Sequence, residues 1–216
     1  MHGDSSALAR EALGTEGSSL VHEGTFDLVV LRSMAQKLLG TLRTREQPVN
    51  EPLPIRYAFN ERHGRTHRML LFTPQEVLFE SQLAFVGFVS NRRKRLDPRI
   101  IEEIFLVDQQ LLDELVHVPG LLSYSSFELR AGNWYNLVVF RDSAARSHFG
   151  ALEMHRYAAY QLSPVYYEWI RLHNGSLPGG LAHQEMVLRD TKWYVFPERQ
   201  QPPIIHELVY KTGDSV

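Results

Sequence analysis

Between Leu83 and Phe196 the apolar spacing switches between period two and helical period, and the switches spell strand, helix, strand, strand, helix, strand. Leu83 to Val89 (LAFVGFV) is a nearly continuous apolar run of strand length, suited to a strand covered on both faces, with Gly87 allowing close approach of another element. Asp97 supplies an N-cap and Pro98 a first helical residue. Ile101, Ile104, Phe105, Val107, Leu111, Leu112, Leu115 and Val116 then hold mostly to one face until Pro119 and Gly120 stop the helix. Leu121 to Arg130 and Trp134 to Arg141 flank a tight connection at Ala131 and Gly132 and read as a hairpin. A second helix runs from a cap at Asp142 or Ser143 toward Asn174, restarting at Ser163 and Pro164, and Met186 to Phe196 supplies the last strand.

That βαββαβ order predicts an α+β fold in which right-handed crossovers place both helices on one face of a four-stranded sheet. The opposite face must also be covered. A second copy of the chain is one expected cover, with Tyr124, Phe127, Trp134 and Val138 supplying apolar groups; the N-terminal segment is the other. In that segment, residues 1–24 are rich in Gly, Ser and Ala and read as a flexible arm. Leu28, Leu31, Ala35, Leu38, Leu39 and Leu42 fall at helical spacing within Phe26 to Leu42. Gln47 to Pro54 carries Pro48, Pro52 and Pro54 and reads as a linker. Ile55 to Asn60 and Arg68 to Phe72 form a short hairpin around Gly64. Residues 25–80 are therefore an N-terminal extension or small subdomain of helix plus hairpin, 83–196 the main domain, and 197–216 a C-terminal tail.

Composition removes several chemistries. Cysteine is absent, so disulfides, thiolate metal sites and a cysteine nucleophile are excluded. The first residues lack an apolar leader core, and no run approaches the ~20 apolar residues of a membrane span, so a cytoplasmic protein without a membrane partner is expected. Formal net charge is −2. The basic run Arg92 to Arg95 lacks interleaved aromatics, and nucleic-acid binding is not expected. His63 and His67 have a spacing that can serve a metal, but nothing completes the set, and no metal site is assigned. Dinucleotide, phosphate-loop, serine-hydrolase and zincin motifs have no counterpart.

The order of elements over residues 83–196, with the WYNLVVF strand leading through an acidic or serine cap into a histidine-bearing helix, resembles the dimeric α/β barrel superfamily of ferredoxin-like fold. Its members include antibiotic biosynthesis monooxygenase-like proteins, haem-degrading monooxygenases, chlorite dismutases and aldoxime dehydratases. The resemblance implies a homodimer, and a cavity between sheet and helices that takes an aromatic substrate or haem. Haem-degrading members use an asparagine, a tryptophan and a helix-borne histidine. Asn136, Trp134 and either His155 or His148 are the residues of those types here.

His148 and His155 lie seven apart, hence on one helix face but ~10 Å apart along the axis, too far to share a metal. Each is open to two readings, a base or haem ligand, or a helix-face histidine hydrogen-bonded to the core. Tyr166, Ile170 and His173 share a stripe at helical spacing, and Tyr166, Arg171 and His173 are the second set, able to orient a polar substrate group, or else to pad the helix end. The expected function is a small-molecule enzyme, monooxygenase-like, acting on a hydrophobic or aromatic substrate with or without haem. The alternative is a non-catalytic dimeric module binding a small molecule or haem.

Overall fold

A computed structural model describes residues 5–44, 52–197 and 201–210, with side chains from Gly24 onward. Helix α1 (Ser5–Thr44) leads to β1 (Ile55–Glu61), β2 (Arg65–Leu71), the short α2 (Pro74–Phe79), β3 (Gln82–Arg92), α3 (Pro98–Leu115), β4 (Leu121–Arg130) and β5 (Asn133–Phe140). Then come α4 (Ala145–Ala151), α5 (Glu153–Tyr157), a π-turn at Ala158–Leu162, α6 (Ser163–Tyr166), β6 (Tyr167–Pro178), α7 (Gly180–His183), β7 (Val187–Val195) and β8 (Ile204–Val209). The linker expected over Gln47 to Pro54 lies largely outside the described residues.

The fold is α+β, with one open sheet of eight strands in the order β1-β2-β4-β5-β3-β6-β7-β8. Every neighbouring pair is antiparallel. At its centre β5 separates β3 from β4, which run parallel and are joined through α3; β3 likewise separates β5 from β6. Asp97 caps α3 by accepting from the Arg99 N–H at 3.0 Å, and Val107, Leu112 and Leu115 turn inward. Leu112 and Leu115 join Leu70, Tyr124, Val138 and Phe140 in the core on that face.

Helix α1 covers the opposite face. Leu28, Leu31, Met34, Leu38, Leu39 and Leu42, at helical spacing, are buried against Met69, Phe85, Val89, Tyr135, Leu137 and Leu188. Fully burying side chains of this kind contributes about 1.5–3 kcal/mol each, which holds a helix of modest internal propensity. Gly87 explains how close the helix comes. A Cβ built there would stand 2.4 Å from Leu31 Cδ1, so the absence of a side chain on β3 is the slot that Leu31 fills.

Several expectations are corrected. The helix read from Ser143 toward Asn174 is broken into α4, α5, the π-turn and α6, and ends at Tyr166; Tyr167–Pro178 is a strand. The helical stripe of Tyr166, Ile170 and His173 gives way to alternation: Trp169 packs toward α1, Arg171 and His173 bond α1's Asp27, and Ile170 lies between them in sequence. Pairing with β3 over Gln82–Arg92 and with β7 supplies β6 with two ladders, which outweighs local helical spacing. Tyr167–Pro178 thereby takes the fourth-strand place given to Met186–Phe196, whose β7 lies one position further out. The hairpin of 55–72 extends the sheet edge through β2 pairing with β4, and β8 within 197–216 extends the other. The face for which a second copy was one expected cover is filled by α1 of the same chain.

Candidate functional site

Because side chains alternate along a strand, the sheet presents two separate sets of polar groups, one under α1 and one under α3. Beneath α1, Asp27 is fully buried and accepts hydrogen bonds from Arg171 Nε at 2.7 Å and Nη2 at 3.1 Å, from Tyr135 Oη at 2.9 Å, and from His173 Nε2 at 2.9 Å. His173 Nδ1 lies 2.9 Å from Thr191 Oγ1, which is 3.3 Å from Tyr210 Oη. One proton arrangement satisfies the chain: Nε2–H donates to Asp27, the Thr191 hydroxyl donates to Nδ1, and Tyr210 donates to Thr191. Burial opposes charge on Asp27, but the bonds from His173 and Arg171 and the attraction of the Arg171 guanidinium hold its carboxyl below the usual range. The Arg171 guanidinium also stacks over Trp169 at 4.2 Å. Asp27, Tyr135, Arg171, His173 and Thr191 are buried and bonded to one another, so the set anchors α1 to β5, β6 and β7.

Beneath α3 the residues line a cavity of about 80 Å³. Trp134 and Asn136 rise from β5, Phe88 from β3, Tyr124 and Ser126 from β4, and Arg68 from β2. Tyr166 and Tyr167 close one end, and Ile104, Phe105 and Asp108 of α3 form the roof. Asn136 stands at the centre of the sheet, directly opposite Phe88 on one side and Ser126 on the other. Its Oδ1 is buried with no hydrogen-bond partner, which leaves an acceptor unmet among aromatic walls. Arg68 donates to Asp108 through Nη1 and Nη2 at 3.2 Å, tying β2 to α3. Burial pushes the phenols of Tyr124, Tyr166 and Tyr167 above their ordinary values, so at neutral pH each is an un-ionised hydroxyl.

The residues singled out from sequence therefore divide. Asn136, Trp134 and Tyr166 meet in the α3 cavity. Arg171 and His173 sit on the opposite face, in the Asp27 network. His148 is exposed on α4, and His155 on α5 lies 4.6 Å from Phe149, edge to face, where burial depresses its pKa. Neither histidine lines the cavity, and about 80 Å³ is far below the ~300 Å³ at the small end of drug-sized sites, so the residues do not fit haem. His63 is exposed at its turn while His67 is buried on β2; among the described residues no group of three His, Asp or Glu could hold a metal. Asp27, Tyr135, Thr191 and Tyr210 were not singled out, because nothing local marks an Asp on an apolar helix face as an anchor. Among the described residues no helix is long and apolar enough to cross a membrane.

Comparison with family models and with curated proteins finds no match. Among solved structures the chain is similar to protein SO0527 from Shewanella oneidensis, at 14% identity and TM-score 0.38, over 45% of this chain and 93% of that one. It is also similar to PA3566 from Pseudomonas aeruginosa, at 13% identity and TM-score 0.35, over 44% and 92% of the two chains. Rv0793 from Mycobacterium tuberculosis follows at 10% identity and TM-score 0.32, over 62% of this chain and all of that one.

Proposed function

We propose that the chain is a small-molecule binding module built on a ferredoxin-like βαββαβ core, its elements β3, α3, β4, β5, the α4–α6 segment and β6. The strand order β4-β5-β3-β6, with a helical crossover after β3 and another after β5, supports that reading of the core. The ligand site is the cavity under α3, and the observation that carries it is the unmet Asn136 Oδ1 between Trp134, Phe88 and Tyr167. Aromatic walls favour a flat apolar body, and a lone buried acceptor favours one N–H or O–H donor on it. Phe105, 62% exposed at the roof, is free to swing outward for a larger ligand. Un-ionised phenols and an aspartate tied to Arg68 supply hydrogen bonds but no free base, which favours binding over catalysis.

A cofactor-independent oxygenase acting on such an aromatic molecule is the second reading, favoured by Asn136 and Trp134 sharing one cavity. An NMR titration with indole tests the first. Indole perturbs the Asn136 side-chain amide and the Trp134 indole resonance, and benzothiophene, its isostere without the N–H, binds about five- to ten-fold more weakly. Asn136→Leu removes that difference. Equal affinity for the two compounds in the parent protein, or no perturbation at Asn136, overturns the assignment. Aerobic incubation with indole and mass analysis for an added oxygen separates the two readings.

A further inference from the structure

A second cavity, of about 570 Å³, opens between α1 and the β1-β2-β4 end of the sheet, within the ~300–1,000 Å³ range of small-molecule sites. Val30, Met34 and Phe127 give it an apolar floor. Its polar lining is Ser33, Gln36, Lys37, Glu61 and His67 beside Thr41 and Thr44; Ser33 and Gln36 lie exposed, Gln36 bonding Gln184, and the Thr41 and Thr44 hydroxyls already bond carbonyls of α1 at 2.9 Å. His67 is the anomaly. It is 3% exposed, packed between Phe59 and Phe127, and its Nε2 is buried with no hydrogen-bond partner. Nδ1 faces Glu61 Oε1 at 3.8 Å, too long for a direct bond. Burial keeps the ring neutral, with Lys37 acting in the same direction and Glu61 against it.

We propose that this groove binds a neutral, hydroxyl-bearing apolar molecule, its hydroxyl seated between His67 Nδ1 and Glu61. A single hydroxyl there accepts from Nδ1–H and donates to the Glu61 carboxylate, which neither a methyl ether nor an anion can do. The Lys37–Glu61 pair, 2.9 Å apart, cancels the groove's own charge and so selects a neutral ligand. The apolar body then lies along Met34, Val30 and Phe127, while a carboxylate in place of the hydroxyl has no proton to donate to Glu61.

The test is a fluorescence titration of the full chain with 2-naphthol, 2-methoxynaphthalene and 2-naphthoate. The parent protein binds 2-naphthol saturably at the groove and the other two there at least about five-fold more weakly, and any further 2-naphthol event that Asn136→Leu removes belongs to the α3 cavity. His67→Phe reduces 2-naphthol affinity about five- to ten-fold and leaves 2-methoxynaphthalene unchanged. Gly40→Leu serves as the variant that cannot fail by unfolding: a Cβ at Gly40 meets nothing within 4 Å, and leucine is the better helix former, so its Tm is no lower than the parent's while its side chain fills the groove mouth. It abolishes the groove event, which Asn136→Leu, in the other cavity, leaves in place. No saturable binding, equal affinity for the methyl ether, or undiminished binding in Gly40→Leu overturns the proposal. Loss of 2-naphthol binding in Asn136→Leu alone assigns the compound to the α3 cavity and also overturns it.

Discussion

Asp27 concentrates the chemistry of individual residues in this fold, because one buried carboxylate accepts from Arg171, His173 and Tyr135 at once. Asp27→Asn leaves the Arg171 guanidinium buried without its counter-charge, and removing one partner of a buried pair costs about 3–5 kcal/mol. Urea denaturation at neutral pH reads this as a lower midpoint with an unchanged m-value. The same carboxyl sets an acid limit. Its folded pKa lies below that of an ordinary aspartate, so the unfolded chain binds more protons as the medium is acidified. Stability from this group is complete above the ordinary carboxylate range and is lost as pH falls through the folded value. Denaturation midpoints of the parent therefore fall steeply below about pH 4, and those of Asp27→Asn fall less; parallel pH profiles would remove Asp27 from the account. Sequence grouped Arg171 and His173 with Tyr166, either to orient a polar substrate group or to pad a helix end. The partner of Arg171 and His173 lies 144 and 146 residues away, and nothing short-range reports such a pairing.

At the level of elements, α3 and the β4–β5 hairpin were legible because their signals are local: Asp97 and Pro98 at one helix end, Pro119 and Gly120 at the other, a tight turn at Ala131 and Gly132. Strand β6 was not. Tyr166, Ile170 and His173 fit a helical stripe, and only pairing with β3 and β7 shows that the same residues alternate. The contact of α1 with β3 is the element-scale interaction most open to measurement. Gly87→Ala places a Cβ against Leu31 and costs about 1–3 kcal/mol by overpacking. Leu31→Ala costs about 2–5 kcal/mol by leaving a cavity. Combined, the two lose clearly less than the sum, because each accommodates the other; additive losses in a double-mutant cycle would mean that Leu31 does not occupy the Gly87 slot.

Over the whole molecule, one helix does the covering that the barrel resemblance gives to a second subunit. Leu28, Leu31, Leu38 and Leu39 are each 2% exposed or less, so α1 shares one core with the sheet and opens with it. Native-state hydrogen exchange tests this: amides of residues 28–42 exchange with the same opening free energy as those of the central strands β3 and β5. Much faster exchange along α1 would make the helix a detachable cover. Sequence alone determined the α+β class, the helix periodicity of 26–42, the α3 caps and the central strands, since spacing, caps and turns act over a few residues. Tertiary structure decided which cover the sheet receives, which periodicity 167–174 obeys, and that Asn136 and Trp134 share a cavity from which His155 and the Arg171–His173 pair are excluded. Those outcomes depend on which surfaces meet across the chain, and alternation on a strand sends neighbouring residues to opposite faces of the sheet.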